Sequence, residues 1–175
     1  MLTVHNFVVS CNGNKIKLDA FKDYPLLLIV NVPTAEFPFA EKHFLELEKL
    51  HKSFKSLSVL GIFCMQFSQT KKSWNPFYVE PNFDFDEEGE RQVLISKYNI
   101  TFPIFDKIIV NGPNEHSLFN FLKHRVISES LLSNFFSNSI KWNFTKFLCV
   151  NGVPVKRFEP SDSIFVIETE IKKFL

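Results

Sequence analysis

The sequence predicts an α/β domain, a central mixed sheet flanked by helices and preceded by a β-hairpin. Three observations predict it. Leu26–Val32 (LLLIVNV) and Ser58–Phe63 (SVLGIF) are apolar runs of the kind that strands buried on both faces require. Between them Phe44, Leu47, Leu50 and Phe54 recur at spacings of three and four, one stripe of an amphipathic helix over Ala40–Phe54. Strand, helix and strand in that order imply a right-handed parallel crossover. Two Asn-Gly pairs, Asn12-Gly13 and Asn151-Gly152, each lie between short apolar runs. Asn-Gly supplies the two positive φ angles that a tight hairpin turn needs.

The elements follow in chain order. The first hairpin joins Phe7–Ser10 to Ile16–Leu18. After the crossover unit, Ser68–Asn82 has two prolines and no clear period, which predicts a long surface loop. Glu87–Tyr98 is expected to be helical, with Val93 and Leu94 inward. Ile104, Phe105 and Ile108–Val110 mark another strand region, closed by the turn residues Asn111-Gly112-Pro113-Asn114. Glu115–Lys123 reads as a short helix. Arg125–Ser139 is rich in serine and asparagine, with Leu131, Leu132, Phe135 and Phe136 as anchors. The second hairpin joins Phe144–Val150 to Val153–Phe158, and Pro160 ends it. Ser161 or Asp162 is expected to cap a last helix whose stripe is Ile164, Ile167, Ile171 and Phe174. No repeat, low-complexity linker or domain boundary interrupts the 175 residues, so one domain is expected.

Composition excludes several function classes. A net charge of +1 gives no long-range pull toward nucleic acid or an anionic membrane. The acidic run Asp84, Asp86, Glu87, Glu88 and Glu90 lacks the spacing of a calcium loop and reads as a solvated loop or first helical turn. His5, His43, His51, His116 and His124 show no metal-ligand spacing, and no cofactor is expected. Cys11, Cys64 and Cys149 include no C-x-x-C pair, and so low a count fits a reducing compartment. No secretory pattern opens the chain and Leu26–Val32 is too short to span a bilayer, which points to the cytoplasm.

The alternating order suggests a thioredoxin-like fold, and the motifs make the expectation specific. Ile140–Leu148 (IKWNFTKFL) resembles the W-N-F-x-K-F-L signature of glutathione peroxidases. Asn151-Gly152, Val155-Lys-Arg-Phe158 and Pro160 continue it in that family's manner. Phe102–Lys107 (FPIFDK) and Val110–His116 (VNGPNEH) resemble F-P-x-F-x-K and V-N-G-x-N-x-H. Leu28–Val32 (LIVNV) resembles the strand that leads into the family's active site, and Gly61–Phe67 (GIFCMQF) resembles its F-P-C-N-Q-F strand end, with Met65 in place of the asparagine.

The resemblance implies a mechanism. A cysteine or selenocysteine at the start of a helix attacks the terminal peroxide oxygen, and a second thiol reduces the oxidised group. Free backbone N–H groups of the first helical turn favour the thiolate. A glutamine, a tryptophan and an asparagine donate hydrogen bonds to it. Gln66, Trp142 and Asn143 match those three supporting residues.

The nucleophile itself has no match. Where the family reads A-S-x-C-G-F after N-V, this chain reads Pro33-Thr-Ala-Glu-Phe-Pro-Phe39. Counting from Asn31 puts Glu36 on the nucleophile; counting back from Phe44 puts Phe37 there. Ile95 stands nearest the family's resolving cysteine. A carboxylate is a poor nucleophile toward peroxide and phenylalanine has no lone pair, so peroxidase activity is expected to be absent or very weak. Glu36 can alternatively fill the old site as an anion, accepting bonds from Trp142 and Gln66. Cys64 is the candidate substitute nucleophile, two residues before Gln66 and so on the same face of a strand; its bland reading is an inert buried residue. Cys11 is expected near solvent and Cys149 in the packing.

If the chain is active, the resemblance implies a hydroperoxide substrate and glutathione or thioredoxin as reductant. If it is not, a protein partner can be held by the 68–86 loop, which is longer than its family counterpart. The stretch between His116 and Trp142 lacks the longer insertion of tetrameric members, which implies a monomer of the phospholipid-hydroperoxide type.

Overall fold

The structure, a computed structural model, describes residues 1–67, 86–126 and 138–175. The expected loop over Ser68–Asn82 and the anchors Leu131, Leu132, Phe135 and Phe136 lie outside these residues.

An antiparallel hairpin of β1 (Val8–Cys11) and β2 (Asn14–Lys17) opens the chain. Its turn residues Asn12 and Gly13 have φ of 51° and 75°, the two positive values the Asn-Gly pair is suited to supply. The central sheet is built from β3 (Leu26–Val32), β4 (Leu57–Phe63), β5 (Ile104–Phe105), β6 (Lys146–Val150) and β7 (Val153–Phe158), in the order β5-β4-β3-β6-β7. β3 pairs in parallel with β4, and β4 with β5; β6 runs antiparallel to both β3 and β7. The helices are α1 (Ala40–Ser53), α2 (Glu87–Tyr98), α3 (Ser117–Arg125) and α4 (Ile164–Lys172). This is a thioredoxin-like fold with a mixed sheet and an N-terminal hairpin.

All seven residues of β3 and all seven of β4 are buried, as strands covered on both faces must be. Side chains alternate across the sheet, so each strand feeds two cores. Leu26, Leu28, Val30 and Val32 meet Phe44, Leu47 and Leu50 of α1, Leu94 and Tyr98 of α2, and Ile167 and Ile171 of α4. Leu27, Ile29, Leu60 and Ile62 meet Leu118, Phe119 and Leu122 of α3 and Val9 of the hairpin. Each such fully buried side chain contributes about 1.5–3 kcal/mol of transfer free energy.

The structure corrects several expectations. Ile108–Val110 is not a strand; its amides are drawn out of any ladder, Ile108 N–H donating to the Phe63 carbonyl at 3.0 Å and Val110 N–H to the Gln66 side chain at 2.6 Å. Val93 is exposed, because it lies a further 100° round α2 from buried Leu94. The cap of α4 is Ser163, which accepts from Val166 N–H, while Asp162 accepts from Glu159 N–H at 2.7 Å. Phe174 falls beyond α4 and is half-exposed.

Candidate functional site

The parallel strands β3 and β4 end side by side, joined by a bond from Cys64 N–H to the Val32 carbonyl at 3.0 Å. The crevice beyond the carboxyl ends of parallel strands is where open α/β sheets place ligands. Three segments meet there: 33–39 after β3, 64–67 after β4, and 140–145 leading into β6.

Phe37 and Glu36 part company in the first segment. The Phe37 ring lies 5.7 Å from the Trp142 ring, packed against the core that α1 closes. Glu36 points to solvent, 81% exposed, with its carboxylate 3.1 Å from Lys97 Nζ of α2. The expectation that Glu36 accepts bonds from Trp142 and Gln66 is therefore corrected: the ammonium on α2 claims its carboxylate instead. α2 also secures the loop at Ala35, whose N–H donates to Glu90 and whose carbonyl accepts from Tyr98 Oη. At Phe39 the chain turns into α1 with φ +65°, a left-handed conformation that is costly for a bulky residue, and the ring is 84% exposed. Phe39 offers no side-chain bond to the first turn of α1.

The second segment carries Cys64 and Gln66. The Cys64 Sγ lies 4.0 Å from Gln66 Oε1, so the two share a face. That face is the α3 side of the sheet, where Cys64 packs with Leu60, Ile62 and Val110, whereas Phe37 packs on the α1 side. Burial pushes the Cys64 thiol up to about 12, only partly offset by the Gln66 backbone N–H. A thiol so raised is protonated at neutral pH and unreactive. The Gln66 carboxamide is engaged by backbone: Oε1 accepts from Val110 and Asn111 N–H at 2.6 and 3.1 Å, and Nε2 donates to the Asn111 carbonyl at 3.1 Å. Burial also raises the thiols of Cys11 and Cys149.

In the third segment Trp142 is 40% exposed and touches both Phe37 and Phe67. Asn143 is buried, and neither atom of its carboxamide meets a hydrogen-bond partner among the described residues. Such a group costs about 1–3 kcal/mol when left unsatisfied. Phe144 follows with φ +65° and stacks on His43 of α1 at 4.3 Å. Two residues that sequence reasoning missed shape the segment. Asn31, within β3, accepts from Thr145 N–H and donates to the Trp142 carbonyl; Asn111 bonds both backbone groups of Ile140. The available signal was an asparagine inside an apolar, doubly buried run, which is tolerated only when bonded.

His43 gives the site a pH dependence. Burial, with Lys146 and Lys42 adding to it, pushes its imidazole from 6.5 down to about 4. The folded-state value is lowered, so the unfolded chain takes up a proton between about pH 6.5 and 4 that the folded chain refuses. The resulting stability is complete above 6.5 and is lost as pH falls through 4. Thermal melts are expected to show the melting temperature falling across that window, with a shallower fall in His43→Phe, which keeps the stack on Phe144. An unchanged slope in the variant counts against this assignment.

Comparison with known proteins agrees with the fold. The glutathione peroxidase family model matches residues 4–123. A Staphylococcus epidermidis protein described as glutathione peroxidase homolog BsaA is 36% identical, with the match covering all of both chains. The crystal structure of T. cruzi GPX1 superposes with a TM-score of 0.69 at 28% identity, covering 99% of this chain and 96% of that one. A thioredoxin-like protein from Aeropyrum pernix shares the fold at 13% identity and a TM-score of 0.57, covering 97% and 89% of the two chains.

Proposed function

This chain belongs to the glutathione peroxidase family, and from that premise we propose that it is a member which has given up thiol-based hydroperoxide reduction while keeping the architecture around the reaction centre. One observation carries the reading: the residue that the loop after β3 packs on Trp142 is Phe37, a side chain with no atom able to attack a peroxide. Peroxide cleavage by this architecture needs a sulfur or selenium lone pair at that point, which takes one peroxide oxygen as the other leaves as water or alcohol. Neither Glu36 nor Phe37 supplies it. Gln66, Trp142 and Asn143 are the supporting set the resemblance implies, and without a nucleophile they have no thiolate to support; the Gln66 carboxamide is instead bonded to the backbone of Val110 and Asn111.

Use of Cys64 as substitute is disfavoured by its burial, its raised pKa and its position on the other face of the sheet from Phe37. The three cysteines are free thiols, which supports a reducing, cytoplasmic setting. Among the described residues no helix is long and apolar enough to cross a membrane. The monomeric state rests on the short 116–142 stretch alone.

The test is a coupled NADPH assay with hydrogen peroxide and a lipid hydroperoxide, offering glutathione and thioredoxin in turn, followed by mass spectrometry of dimedone-treated protein. No turnover above buffer and no sulfenic acid are expected. Turnover that disappears in Cys64→Ser, with dimedone trapped on Cys64, would overturn the reading.

A further inference from the structure

The segment carrying Trp142 and Asn143 is gripped at both ends by side chains that do not face the site. At its entrance Asn111, 3% exposed, donates from Nδ2 to the Ile140 carbonyl at 2.7 Å and accepts from Ile140 N–H at 2.8 Å. A single carboxamide thus reproduces both bonds of a strand partner, and it fixes the backbone two residues before Trp142. Asn111 is itself held. Gln66 bonds its N–H and carbonyl, and Lys123 Nζ reaches its Oδ1 at 3.3 Å and the Val110 carbonyl at 2.8 Å. At the exit Asn31, fully buried, donates to the Trp142 carbonyl at 3.2 Å and accepts from Thr145 N–H at 3.1 Å. Its own carbonyl accepts from Phe144 N–H at 2.8 Å.

Burying two carboxamides and a lysine is costly, and apolar side chains would fill the same space at lower cost. What polar groups give instead is a unique backbone geometry, because each bond has one length and one direction. Here that geometry decides where the Trp142 indole stands and where the Asn143 carboxamide points. A route also follows from 64–67 to 140–145: Gln66 acts on 110–111, and Asn111 acts on Ile140.

We propose that Asn31 and Asn111 are positioning residues for Trp142 and Asn143, with Gln66 acting on the same segment through Asn111. The assignment is independent of whether the protein reduces peroxides, so its test does not use catalysis.

The experiment reads the environment of Trp142 in a Trp74→Phe background, which leaves it as the sole tryptophan. Asn111→Ser and Asn31→Ser are each expected to shift indole emission to the red and to raise acrylamide quenching by about twofold, as the ring leaves Phe37 and Phe67. Thr101→Val, which removes the hydroxyl bond to Glu48 of α1, is the control for a merely structural loss: it lowers the melting temperature and leaves emission and quenching unchanged. Should a serine variant fail to fold, the aspartate variant replaces it. Aspartate keeps the volume and the accepted bond but loses the donated one, so the same shift is required of it. A folded variant at either position with the parent's emission and quenching overturns the proposal, as does an equal shift in the control.

Discussion

Phe37→Cys is expected to consume hydrogen peroxide at least about a hundredfold faster than the parent protein, and Glu36→Cys is not. The new thiol would stand at the end of the turn that enters α1, since Ala40 N–H bonds the Phe37 carbonyl at 3.0 Å. No side chain at Phe39 caps the first turn of α1, which leaves amide donors able to favour an anion nearby. Trp142 already lies against position 37, and the Asn143 carboxamide has both its atoms uncommitted among the described residues. Donors of this kind lower a thiol pKa and so raise the thiolate fraction at neutral pH. The attack transfers one peroxide oxygen to sulfur, giving a sulfenic acid and releasing water; added thiol then reduces it. Position 36 offers none of this, being exposed and paired with Lys97. The measurement is pseudo-first-order peroxide loss, with the pH dependence of iodoacetamide alkylation reporting the thiol pKa. Reversed activities would mean that Glu36 marks the old nucleophile. An inert Phe37→Cys variant whose new thiol has an ordinary pKa would mean that Trp142 and Asn143 no longer form a supporting set. Truncating a half-buried phenylalanine costs stability too, so a melt of each variant accompanies the assay.

That experiment turns on a register the sequence leaves open. Counting from Asn31 and counting back from Phe44 differ by one residue, and nothing in the residue types of Glu36 or Phe37 chooses between them. In the structure Glu36 lies outward beside Lys97, Glu90 and Tyr98 bond the backbone of Ala35, and Phe37 packs against Trp142. These are long-range partners with no local signature. By contrast β3, β4 and α1 were legible, because burial on two faces and on one helical stripe writes directly into residue type. The α4 cap was not, since Ser161, Asp162 and Ser163 are equally able to cap and only the path of the chain selects among them. Ile108–Val110 has a strand's composition but lost its ladder to Phe63 and Gln66, a competition invisible in the segment itself. Gln66, Trp142 and Asn143 were singled out through motif resemblance. Asn31 and Asn111 sat inside quoted motifs without a role, because their bonds run to backbone more than a hundred and nearly thirty positions away.

The second large effect concerns Asp106, on which the hold of α2 depends. Its carboxylate accepts from the backbone N–H groups of Asn12 and Gly13, each at 3.0 Å, and from both terminal nitrogens of Arg91 at 2.7 and 3.1 Å. Arg91 is 8% exposed and Asp106 13% at the side chain, so water screens the pair little. The Arg91 guanidinium also meets Asn12 Oδ1 and Glu88, so one cluster joins the first hairpin turn, α2 and the chain after β5. Removing one partner of such a pair strands the other charge, which costs about 3–5 kcal/mol. Asp106→Ala leaves two turn amides without their acceptor and leaves Arg91 only Glu88 and the Asn12 side-chain oxygen. It is expected to lower the melting temperature by roughly 6–20 °C, given about 2–4 °C per kcal/mol at this chain length. Arg91→Met, which keeps the apolar stem, is expected to cost a similar amount. The double variant should lose less than the sum by about 1–3 kcal/mol, because the second substitution removes a charge already stranded. Additive losses would show that the two residues act separately. The effect should also reach the site: a loosened α2 weakens the ties at Ala35 and Glu36, so in the Phe37→Cys background Asp106→Ala should slow peroxide consumption even at temperatures where the protein stays folded. Undiminished consumption there would confine Asp106 to stability.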